Sequence, residues 1–217
     1  MSGVLVTPFG KKQPDHFQSA THLALARLSP DADPEFIKFC DEYIGLADRT
    51  FTDAVVAVGT VEERVDLARD ARDKLAKQVK AALKVLYSIA QTTLTAAQLA
   101  ELEGAWGGGA LSTLTSRPAA ELTRLLRLAL PRLRERADLK LPESRLTDLE
   151  ADTESLAQAL SELQRLEGEL KNARAAAKAA QTTFVTAYRK LVRVLRLMWG
   201  EDKVRATLWH FEHKRGS

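Results

Sequence analysis

The chain has 217 residues, 45% hydrophobic and 28% charged, with a formal net charge of +3. It is too apolar for a disordered chain, and the length allows one large domain or two small ones. So weak a charge argues against a dedicated nucleic-acid binder, and a single cysteine, Cys40, excludes an intrachain disulfide or a cysteine-built zinc site.

Aromatic residues make up only 6%, while the strong helix formers Ala, Leu, Arg, Glu and Lys dominate. This predicts an all-α fold. Residues 1–32 stand apart: Pro8, Gly10, Pro14 and Pro30 punctuate them. They read as an extended N-terminal arm that contacts a neighbouring subunit, with a short strand over 4–7 and a short helix over 19–28. The opening residues lack the charged start and apolar core of a signal peptide, and no apolar run is long enough to span a bilayer. A cytoplasmic location is therefore expected.

Asp33-Pro34 marks the first helix start, with Asp33 as N-cap and Pro34 at the first helical position. From there Ile44, Phe51, Val58, Val65, Arg72, Val79 and Leu86 recur every seven residues. A companion set, Ala47, Ala54, Val61, Ala68, Leu75, Ala82 and Ile89, stands three residues after each. Such alternation gives a helix a continuous seam, and it predicts one helix from 34 to about Thr93. Gly59 and the potential capping box of Thr60 with Glu63 offer an alternative, a hairpin there.

Thr95 with Gln98 predicts a short helix ending near Gly104. Trp106-Gly107-Gly108-Gly109 fits neither phosphate-loop nor dinucleotide spacing and reads as a linker with Trp106 anchored on an apolar surface. A further helix starts at Ser116-Arg117-Pro118, with Leu122, Leu125, Leu126, Leu130 and Leu133 on one side; Pro131 should kink or stop it. Leu141-Pro142 breaks the chain again.

The last element is the plainest. Leu149, Leu156, Leu163, Leu170, Ala177, Phe184, Leu191 and Met198 are seven apart, with no proline between them. A helix over 145–199 would be roughly 80 Å long and needs an equally long partner, which the first heptad helix supplies. The fold expected is an elongated antiparallel bundle or coiled coil over 33–217, two long helices with shorter flanking ones. The long helices superpose in phase at an offset of 105, Phe51 on Leu156 and Val79 on Phe184, suggesting an internal duplication of 33–110 and 140–217.

Charge is polarised along both. Residues 33–66 carry nine acids and three bases, and 67–90 carry two and six. Residues 143–170 carry eight acids and two bases, and 184–217 carry three and eight. Antiparallel neighbours are then complementary along their length, and copies could join head to tail.

Catalytic and metal-binding patterns are weak. His210 and His213 lack further ligands, His16 and His22 lack partners, and no Glu-x-x-His motif suits a di-iron bundle. The expectation is a non-enzymatic scaffold without cofactor or metal that self-associates as a homo-oligomer or with another helical protein. Its seam and assembly residues would be Phe51, Val58, Val65, Leu86, Leu156, Leu163, Leu170, Phe184 and Leu191. The alternative is a peripheral membrane-binding module in which Arg189, Arg193, Arg196, Trp199 and Trp209 contact an anionic surface; nucleic acid is disfavoured by the weak net charge.

Overall fold

A computed structural model describes residues 34–106 and 110–202, and every regular element among them is helical. Two helices dominate: α1 over Pro34–Thr93 and α5 over Glu143–Trp199. Between them lie α2 (Ala96–Ala105), α3 (Leu111–Ser116), α4 (Ala119–Glu135) and a 3-10 turn at Ala137–Leu139. The protein is an all-α bundle in which α1 and α5 pack against each other. The expected arm over 1–32, with its strand and short helix, lies outside the described residues.

The helix α1 runs through Gly59 without interruption. Thr60 does not cap there: its hydroxyl donates to the Val56 carbonyl at 3.1 Å, one turn back. A mid-helix glycine costs about 1 kcal/mol against alanine, whereas burying Phe51 or Val65 stabilises by roughly 1.5–3 kcal/mol each, so the seam carries the helix past it. Arg72, the one charged seam position, stays partly exposed and turns its guanidinium onto Asp73 at 2.7 Å. Its apolar stem can line the seam while the head stays wet.

The chain divides into two compact units, each built from a piece of both long helices. The first joins residues 34–61 with 170–202, and its core gathers Ile44, Ala47 and Phe51 with Phe184, Tyr188, Leu191, Val192 and Leu195.

The second unit, Glu62–Glu169, holds the end of α1, the start of α5 and all the shorter helices. Arg64 pairs with Glu169 and Arg69 with Glu167, so an advance along α1 meets a retreat along α5 and the two are antiparallel. Arg127 to Glu154 and Arg134 to Glu150 lay α4 antiparallel on α5 in the same way. These exposed pairs are worth little individually and chiefly set the register. The stability comes from a core in which Leu83, Leu86, Leu102, Trp106, Leu122, Leu126, Leu149 and Leu156 are buried together.

Three local expectations meet the structure here. The Thr95–Gln98 capping box forms in both directions, and α2 ends at Ala105. Trp106 is 3% exposed and leans on Tyr87, ring centroids 6.5 Å apart, so it is anchored as expected. Pro131, expected to kink or stop its helix, lies within α4, which continues to Glu135. The proline removes one hydrogen bond near the helix end, while burial of Leu126, Ala129, Leu130 and Leu133 around it holds the last turn.

Candidate interaction surfaces

The seam residues named from the sequence lie inside the chain's own bundle. Phe51, Phe184 and Leu191 share the first core, with the two phenyl rings stacked at 6.0 Å and 26°. Leu86 and Leu156 share the second core. Val65, Leu163 and Leu170 are buried outside both clusters, and Val58 is half-buried. Met198, in phase with the α5 heptads, is 54% exposed, because burial near that end moves to Val192 and Leu195 on the adjoining row. Contacts with other molecules must therefore come from elsewhere on the surface.

Among the described residues, each unit has an open groove. In the first unit, Leu46, Ala47 and Thr50 of α1 face Thr182, Thr183, Thr186, Ala187 and Lys190 of α5 across a cleft of about 460 Å³. Its walls are mostly short side chains, which let another helix approach closely, and Leu46 stands 65% exposed at its edge. The threonine hydroxyls of this wall are engaged: Thr182 donates to Lys178 O, Thr183 to Ala179 O and Thr186 to Thr182 O. In the second unit, a cleft of about 670 Å³ runs between α4, with Arg124, Arg127 and Leu128, and α5, with Leu160, Gln164 and Glu167.

Among the basic residues expected at an anionic surface, Arg189 and Arg193 are exposed and form no ion pair among the described residues. Arg196 is partly exposed and reaches Glu201 at 3.8 Å. Trp199 closes α5, with its side chain outside the described residues, and Trp209 lies outside them altogether.

The displaced titratable groups belong to structural contacts. Tyr87 donates to Glu103 at 2.5 Å, and that bond, with burial and the neighbouring carboxylate charge, raises its pKa. Arg136 bridges Glu101 of α2 and Asp138 of the 3-10 turn, which lowers the Asp138 pKa. Gln98 of α2 adds a hydrogen bond to the Asp138 carbonyl at 3.0 Å, tying the same two elements. Arg165 likewise lowers the pKa of Glu162. Among the described residues no three His, Cys, Asp or Glu side chains gather where a metal could sit, and no helix is long and apolar enough to cross a membrane.

Both grooves escape sequence reading. Their walls are threonines, alanines and arginines outside the heptad seams, and only knowing which helices α2 to α4 cover shows what is left open. No protein family, curated protein or solved structure matches the chain.

Proposed function

We propose that the protein is a non-enzymatic, cytoplasmic scaffold that self-associates through its long helices, with the N-terminal arm contacting a neighbouring subunit. One observation carries this reading. In the first unit the described helices are α1 and α5 alone, and the groove beside their seam is lined by small side chains and edged by exposed Leu46. In the second unit three shorter helices cover the same pair. A helix from another copy would bury Leu46 and fill the groove. The acidic start and basic end of each long helix would orient it and add an attraction that salt screens.

The test is the molar mass of the full chain in solution beside that of two variants. Thr183→Trp places a bulky ring in the groove, and deletion of residues 1–32 removes the arm. Each should lower the assembly size while leaving helicity unchanged. Unchanged mass in Thr183→Trp would remove the groove from the account, and unchanged mass on deletion would remove the arm.

A further inference from the structure

Residues 171–199 of α5 contain seven basic side chains and no acidic one. Five of them, Lys171, Lys178, Arg189, Arg193 and Arg196, fall within an arc of about 60° around the helix at 3.6 residues per turn. The strip extends roughly 38 Å along the axis, at 1.5 Å per residue. Four of the five are exposed and Arg196 is partly so. The opposite face of the helix is occupied, because Phe184, Leu191 and Leu195 there are buried in the first core. The strip borders the α5 wall of the groove: Thr182 falls within its arc, while Thr183 and Ala187 lie off it.

Antiparallel complementarity predicts that the acidic start of α1 neutralises these charges. Residues 34–61 do carry five acids against two bases. Asp48, however, is buried between the helices at 6% exposure. No ion pair among the described residues joins α1 to Arg189 or Arg193, and the pairing of Arg196 is with Glu201, from beyond the end of its own helix. Among the described residues the face therefore keeps its positive charge at Arg189 and Arg193.

We propose that this strip is a docking surface for an anionic phospholipid membrane. A straight row of cations on one helix face matches a plane of lipid phosphates and carboxylates. The choice of lipid over a nucleic-acid backbone rests on the end of the strip. Leu197 there is 88% exposed. Apolar side chains beside cations gain by entering the headgroup boundary and gain nothing against a sugar-phosphate chain. The charges attract the protein and Leu197 anchors it.

The experiment is co-sedimentation of the full chain with phosphatidylcholine vesicles, with and without phosphatidylserine, at low and raised salt. Binding should require phosphatidylserine and weaken with salt. Each neutralised strip charge should lower partitioning about five-fold, so Arg189→Gln with Arg193→Gln should lower it about twenty-five-fold. Leu197→Ser should weaken binding at both salt concentrations. Lys77→Gln with Lys84→Gln, the same charge change on exposed positions of α1, serves as control and should leave binding unchanged. Circular dichroism confirms that each variant retains its helicity. Equal binding to both vesicle types, an equal loss in the control, or binding to random duplex DNA without binding to vesicles would each overturn the proposal.

Discussion

Phe51 of α1 and Phe184 of α5 stack with their ring centroids 6.0 Å apart, and both are almost wholly withdrawn from water. They are the two phenylalanines of the first core, where these two helices are the described elements. Phe51→Ala or Phe184→Ala should each cost about 3–5 kcal/mol. The double variant should cost less than the sum by about 0.5–1.5 kcal/mol, since the stacking contact is lost only once. Chemical denaturation of the four proteins measures both values, and strict additivity would show that the rings do not interact.

Gly59 in α1 and Gly168 in α5 are helical, exposed and surrounded by open space where a Cβ would stand. Neither has a backbone conformation that needs glycine. Gly59→Ala and Gly168→Ala should therefore each stabilise by up to about 1 kcal/mol. A loss of stability in thermal unfolding would mean that the glycine serves a purpose beyond the helix itself.

The raised pKa of Tyr87 has a definite sign. A group whose folded pKa lies above its unfolded value stabilises at pH below the ordinary tyrosine range, and that contribution disappears as pH rises through the folded value. The chain should lose stability on the alkaline side of ordinary tyrosine ionisation, and Tyr87→Phe should show less of this loss. Tyrosinate absorbance should also show a late-titrating component that Tyr87→Phe removes. Identical alkaline profiles for the two proteins would place the titration elsewhere.

Trp106 fills the second core, yet its indole N–H has no partner among the described residues. Trp106→Ala should cost about 3–5 kcal/mol, while Trp106→Phe, which keeps an aromatic ring and removes the unpartnered donor, should cost far less. Comparable losses for the two would mean that the N–H is satisfied in solution.

Much of the fold was legible because it rests on local, periodic physics. The helix start at Pro34, the passage through Gly59, the Thr95–Gln98 box and the length of α5 follow from start-residue and capping chemistry and a seven-residue apolar repeat. The misses arise where tertiary packing outweighs local preference. The helix α3, Leu111–Ser116, takes four of its six residues from the weak helix formers Ser and Thr and is held by burial of Leu114, which a propensity argument does not see. Pro131 does not stop α4, because the burial of its neighbours, which the sequence pattern does not display, holds the last turn. Leu83 and Ala90 lie off the seam and are buried all the same, in the core shared with the shorter helices. The candidate surfaces were the least legible part. The basic side chains could be named in advance, but the absence of ion pairs at Arg189 and Arg193 among the described residues and the exposure of Leu197 beside them depend on which faces the bundle covers.

The central claim is self-association oriented by polarised charge, and molar mass by light scattering at low and at high salt tests it most directly. The account predicts an assembly larger than the 24.0 kDa chain at low salt that shrinks as salt screens the pairing. A monomer at both salt concentrations would contradict it.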